Sequence, residues 1–136
     1  MTAKPAAPAR KPPAAKPKAK AEEPTQGSQA FLRVYHSSAL RKQTLLVLGR
    51  LEQASDPTQH RADLADLVVD LTKAGMDYCF IQQLKQAKAG FLLQQSASLG
   101  MAGAVQVIGG VIRNIIGRME GPQLLSVSDS IRRLGR

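Results

Sequence analysis

The sequence predicts an all-α protein: a small helical bundle of three to four helices with a long apolar, Gly/Ala-rich third helix, preceded by a disordered basic tail. Beyond residue 28 the apolar residues recur at the three- and four-residue steps of a helix, not in the strict alternation of a strand. Two of the eight prolines lie in this region, at positions where a helix would begin or end. Between Lys88 and Arg113 lie 24 uncharged residues, which is long enough for an extended apolar helix.

The basic tail comprises residues 1–27 and is predicted to be separate from a helical domain at 28–136. It holds six of the eight prolines and six basic residues before the first acid, Glu22. Because it has almost no large apolar residue to bury, we expect it to be disordered, with polyproline-II character. A mobile polycation contacts phosphates without reading bases. The predicted polyanion-binding residues are therefore Lys4, Arg10, Lys11, Lys16, Lys18 and Lys20, and the alternative is an extension that only aids solubility.

Residues 3–21, AKPAAPARKPPAAKPKAKA, are similar in composition to the Ala/Lys/Pro tails of bacterial histone-H1-like proteins. In some granule-associated phasins such a tail is joined to a helical part that binds an apolar surface, although here the basic segment comes first. The resemblance implies binding to nucleic acid or to a granule, and it assigns no role to any single residue.

The first helix is predicted at about 28–54, with a face marked by Phe31, Val34, Tyr35, Leu45 and Leu48. The HSS triplet at 36–38 is a candidate break, because serine competes for backbone hydrogen bonds.

The second helix is predicted to begin at the sequence DPTQ. Asp56 is a favoured N-cap, Pro57 fits the first turn, and Gln59 completes a capping-box pattern. Its apolar stripe is Leu64, Leu67, Val68, Leu71 and Tyr78. Four carboxylates, Asp63, Asp66, Asp70 and Asp77, recur at helical spacing, which predicts a solvated face or a docking surface for basic residues such as those of the tail.

The third helix is predicted at about 76–119, with Gly75 as a weak point before it. We expect a break or bend near Gly90 or Ser98–Gly100, since glycine and serine lower helix propensity. Gly121 and Pro122 are interpreted as its terminator, and a short last helix is predicted at 128–134.

Two seams run along the third helix on a helical wheel. Small residues share one stripe, which would let a second backbone approach closely: Ser96, Gly100, Gly103, Gly110 and Gly117. Aliphatic residues share a second stripe at alternating steps of three and four: Met101, Val105, Ile108, Ile112 and Ile115. The segment is open to three interpretations: a central helix packed on two sides within the bundle, a face for a partner or second copy, or a membrane span. An apolar face this wide predicts a homodimer or higher oligomer formed through residues 96–119.

The composition argues against an enzyme. The chain has one cysteine, Cys79, no tryptophan and 4% aromatic residues. It has two histidines, His36 and His60, and no nucleotide-loop, zinc or redox motif. We therefore predict no catalytic residue, cofactor, metal or small-molecule substrate.

The net charge of +9 and a pI near 10.2 predict attraction to polyanions. No apolar leader is visible, and a single cysteine fits a reducing compartment, so a cytoplasmic location is expected. These features predict a non-enzymatic helical interaction protein that binds nucleic acid or another polyanion non-specifically and self-associates through an apolar helix. The alternative is a protein of a membrane or granule surface that uses the apolar helix at 89–117.

Overall fold

The structure, a computed structural model, describes residues 33–135. The basic tail, its six predicted binding residues and Phe31 lie outside this range. The α-helices are α1 (Ser38–Gln53), α2 (Arg61–Met76), α3 (Gln82–Gln86), α4 (Phe91–Ile116) and α5 (Gly121–Leu134). A π turn at Asp77–Ile81 joins α2 to α3. The predicted all-α bundle is confirmed, and the described part of the chain contains no strand.

Helix α1 begins at the HSS triplet because Ser37 caps it. The Ser37 hydroxyl accepts a hydrogen bond from the backbone N–H of Leu40 at 3.1 Å, which satisfies one of the free donors of the first turn. Residues 33–37 are therefore not helical, and the prediction of a helix already under way there is wrong. The predicted face is also wrong at Leu45, which is exposed, because the buried stripe follows Leu40, Leu48 and Leu51.

Asp56 caps the next element as predicted. Its carboxylate accepts hydrogen bonds from the backbone N–H and the hydroxyl of Thr58, at 3.1 and 2.6 Å. A 3-10 turn at Pro57–His60 leads from this cap into α2. The Asp56 side chain therefore bonds to Thr58, the second residue after it, and not to Gln59.

Residues 61–86 form one continuous helical segment through the π turn, so Gly75 does not end α2. The predicted third helix is instead divided at Lys88–Gly90. Lys88 has a φ of 54°, the left-handed conformation that turns the chain back. The break expected near Gly90 is confirmed, whereas Ser98–Gly100 lies in regular helix.

The sequence EGP begins a helix as well as following one. Glu120 and Gln123 form a reciprocal capping box, and Pro122 lies in the first turn, where proline's missing N–H costs nothing. The last helix is therefore α5, and the prediction that it starts at 128 is wrong.

Helices α1 and α2 form an antiparallel hairpin. The Gln43 amide donates to Asp70 at 3.0 Å, and nearer the start of α1 the rings of Tyr35 and Tyr78 lie 5.8 Å apart.

Helix α4 runs back along α2 as the second hairpin. The Arg113 guanidinium donates to the Asp66 carboxylate at 3.1 Å, and that of Arg61 donates to the backbone carbonyl of Met119 at 2.8 Å. Helix α5 returns beside α1 and begins next to Pro57, whose Cδ lies 3.7 Å from a Cβ built on Gly121.

The core lies between α1, α2 and α5, with the last turns of α4 closing one side. Its buried members are Leu40, Leu48, Leu51, Leu64, Ala65, Leu67, Ile116 and Leu124. Ile116 is the one member from α4, and Ile112 packs partly buried beside it. The first half of α4 therefore lies outside the core.

Replacing Leu48 by alanine should destabilise the protein far more than replacing Leu46, its near neighbour in α1. Leu48 is fully buried and Leu46 is 54% exposed. We expect a loss of about 2–5 kcal/mol for Leu48→Ala and less than about 1 kcal/mol for Leu46→Ala in urea unfolding. Equal losses would contradict the assignment of the core.

A polar cluster joins α1 to α5. Ser128 is fully buried, and its hydroxyl donates to Glu52 at 2.8 Å. The Arg132 guanidinium donates to both oxygens of the same carboxylate, at 2.6 and 2.8 Å. The hydrogen bond from Arg132 and that from Ser128 lower the pKa of Glu52 against the effect of desolvation.

Glu52→Gln should reduce the free energy of unfolding at neutral pH. Because the pKa of Glu52 is lowered in the folded state, its stabilisation is present above the ordinary glutamate pKa of about 4.3 and is lost as the pH falls through the lowered value. The difference between wild type and variant should therefore shrink in acid, as measured by urea unfolding at several pH values. Asp129→Asn, which removes an exposed one-turn ion pair with Arg133, is the control and should cost at most about 0.5 kcal/mol. A difference that does not vary with pH would contradict the role of the Glu52 charge.

Candidate interaction surface

Helix α4 is packed on one side only. Gly109 and Ile116 are its buried residues. A Cβ placed on Gly109 would lie 3.5 Å from Cγ1 of Val69, so the backbone of α4 comes close to α2 at this point. The interpretation of the segment as a central helix packed on two sides is wrong, because 11% of its most apolar 18-residue window is buried.

The opposite side of α4 is an exposed surface that we call the uncharged face. It spans about 120° of the helix circumference, at 100° per residue. It consists of Leu92, Leu93, Ser96, Leu99, Gly100, Gly103, Val107, Gly110 and Val111, all exposed. Leu92 is 77% exposed, Val107 70% and Leu99 69%. Transfer of exposed leucine and valine side chains out of water lowers the free energy. The face is therefore suited to contact with another apolar surface.

Four of the five predicted small residues lie on the uncharged face: Ser96, Gly100, Gly103 and Gly110. No heavy atom of the described residues lies within 4 Å of a Cβ built on Gly100, Gly103 or Gly110. The fifth, Gly117, is at the C-cap of α4, where an added Cβ would lie 2.9 Å from the Arg113 carbonyl oxygen. The small seam is therefore open to solvent within this chain.

The aliphatic seam lies mainly toward the core side. Met101, Val105 and Ile112 are half-buried, at helical spacing from the buried Ile116. Ile108 and Ile115 lie at the edge of this contact and are exposed. The two predicted seams thus occupy different sides of α4, one packed within the chain and one open.

Sequence reasoning missed the large residues of the uncharged face. The helical wheel identified Ser96, Gly100 and Gly103 but not Leu99 or Val107. The stripe was defined by small residues alone, so the leucines and valines on the same side of the helix were not included. The signal was present: α4 is apolar around most of its circumference, and a helix of this kind is normally surrounded by other elements. Gly109 was missed as well, since spacing alone cannot tell which glycine meets a neighbour.

Helix α4 has 26 residues and is apolar enough to cross a membrane by length and composition. It is the one helix of the described residues that meets this criterion. The hydrocarbon core of a lipid bilayer is about 30 Å thick, and a helix needs about 20 predominantly apolar residues to span it.

The four aspartates of α2 and its extension have separate partners. Asp66 pairs with Arg113, and Asp70 accepts from Gln43. Asp63 lies 3.4 Å from the His60 ring nitrogen, and Asp77 accepts from the Gln82 amide at 3.2 Å. Among residues 33–135 no three His, Cys, Asp or Glu side chains are grouped closely enough to hold a metal ion.

Comparison with protein-family models, with curated proteins and with solved structures gave no match.

Proposed function

We propose that this protein is a non-enzymatic helical interaction protein that uses the uncharged face of α4 as its contact surface and the basic tail for non-specific attraction to polyanions. The observation that carries the proposal is the exposure of Leu92, Leu99 and Val107 on one side of a helix whose other side is already packed. A contiguous exposed apolar patch of this kind is typical of an interaction site.

Two kinds of surface can cover the face. A second copy of the chain is favoured by the small residues Ser96, Gly100 and Gly103, which would allow two helix backbones to approach closely. An apolar lipid or granule surface is favoured by the length and low polarity of α4. In water without lipid we expect the first of these, a homodimer or higher oligomer.

Val107→Glu should weaken self-association because it places a charge in the centre of the face. Wild type is expected to associate as its concentration rises through the micromolar range, and the variant is expected to stay smaller, as measured by sedimentation velocity. Gln95→Glu is the matched control: it adds the same charge to α4 about 120° around the helix from Val107.

Circular dichroism of both variants verifies that the fold is unchanged. Wild type and Val107→Glu sedimenting alike would contradict self-association through this face. A loss of association in Gln95→Glu as large as in Val107→Glu would contradict the position of the contact.

The basic tail adds electrostatic attraction. Its six lysines and arginines precede Glu22, with prolines between them. Release of counterions from phosphates makes such binding depend on salt, with a slope in log K against log salt of about −0.9 per phosphate neutralised. Five or six contacts correspond to a slope of about −4 to −5.

Deleting residues 1–24 should remove most of this slope. The measurement is fluorescence anisotropy of a labelled DNA duplex titrated with the protein at several salt concentrations. Val107→Glu, with its tail intact, is the control and should keep the slope at protein concentrations where both chains are monomeric. A deleted chain that binds DNA as tightly, and with the same salt dependence, would contradict the role of the tail.

A further inference from the structure

The excess positive charge of the described residues is concentrated around α4. Residues 33–135 contain twelve basic and eight acidic side chains. Residues 78–119 contain no acid and four basic residues, Lys85, Lys88, Arg113 and Arg118, so the remaining eight basic residues are matched by eight acids. The basic residues lie at the two ends of the helix that carries the uncharged face.

Three of these four cations are available to a partner. Arg113 is paired with Asp66, whereas Lys85, Lys88 and Arg118 are exposed and no acidic group of residues 33–135 lies within ion-pair distance of them. Glu120, the acid closest in sequence to Arg118, is engaged in the capping box of α5.

We propose that the uncharged face of α4 lies on the surface of an anionic lipid bilayer, with Lys85, Lys88 and Arg118 contacting lipid phosphates at its two ends. This inference rests on the proposed function and names the occupant of its contact surface. A helix that lies in the plane of the interface buries one apolar face among the head groups and is held there by basic residues that reach anionic lipids. Long basic side chains can reach the head groups while the helix between them sinks toward the acyl chains. Each basic residue near an anionic surface strengthens binding by about fivefold.

The charges fit a bilayer better than they fit a second copy. In an antiparallel pair of α4 helices the Lys88 end of one copy would meet the Arg118 end of the other. In a parallel pair each end would meet its own counterpart. Both arrangements place basic next to basic, which opposes pairing and is relieved by salt. Binding to an anionic bilayer has the opposite dependence, because salt weakens it.

The packing of α4 favours a helix that lies on the bilayer over one that spans it. One side remains joined to α2 by the Arg113–Asp66 pair and the contact of Gly109 with Val69. The exposed amides Gln95 and Gln106 border the uncharged face and would lie at the level of the head groups.

The first test uses the absence of tryptophan from the chain. Val107→Trp places a fluorescent probe in the face, and Ser126→Trp places one on the exposed side of α5. We expect vesicles of phosphatidylcholine and phosphatidylglycerol to shift the Val107→Trp emission to the blue. Brominated acyl chains should quench it several-fold more than they quench Ser126→Trp. Equal, weak quenching of both probes, which is the result expected if the tail alone binds, would overturn the inference.

The charge requirement is tested with paired substitutions. Lys85→Gln with Lys88→Gln should weaken partitioning into these vesicles by roughly 25-fold. Arg41→Gln with Lys42→Gln removes the same charge from α1 and should weaken it much less. Equal losses in the two double variants would overturn the assignment of the basic ends.

Gly103→Leu separates the two occupants of the face. The position is open within the chain, so leucine fits there, blocks the close approach of a second helix and adds apolar area for lipid. We expect this variant to keep vesicle binding and to lose self-association. Self-association of the wild-type chain that strengthens in high salt, together with no blue shift in the Val107→Trp variant, would overturn the bilayer inference and support the proposed function. A chain that shows neither self-association nor the shift would overturn both.

Discussion

Helix α2 provides the packing surface on which the arrangement of the other helices depends. Leu64 and Leu67 are fully buried in the core formed with α1 and α5, and Val69 meets Gly109 of α4. Because α5 packs beside α1, α4 has a neighbour on one side only along most of its length. A helix with the composition of a buried element therefore carries an open side, and this mismatch between composition and surroundings is the physical basis of the functional proposal.

The open glycines add to this mismatch. Glycine in the middle of a helix costs about 0.5–1 kcal/mol relative to alanine, and Gly100, Gly103 and Gly110 all occupy such positions. At Gly109 the Val69 side chain leaves little room, since an added Cβ would already be in van der Waals contact with it at 3.5 Å. No heavy atom of the described residues lies within 4 Å of a Cβ built on any of the other three, so packing among these residues does not require them to be small.

Helix caps and breaks, which depend on residues close in the chain, were predictable from the sequence. The neighbour against which each helix face packs was not. The cap at Asp56 and the break near Gly90 follow from residues close to them in the chain, and both are found. EGP was ambiguous, since glycine and proline can both end a helix and begin one, and Glu120 decides in favour of a new start by capping α5. The wheel showed which residues of α4 share a side. It could not show which side meets α2, because that depends on the hairpin at Lys88 and on the contact at Gly109.

The π turn determines the direction in which the start of α4 points. The Gln82 N–H bonds to the carbonyl of Asp77, so this turn spans five residues where a regular helix spans four. One residue corresponds to about 100° of rotation around a helix axis. If residues 77–81 paired as a regular helix with the same number of residues, α3 and the hairpin after it would be turned by about that angle, and the side of α4 now packed on α2 would be carried away from Val69. The orientation of the exposed leucines thus depends on one additional residue in a helix that does not contain them.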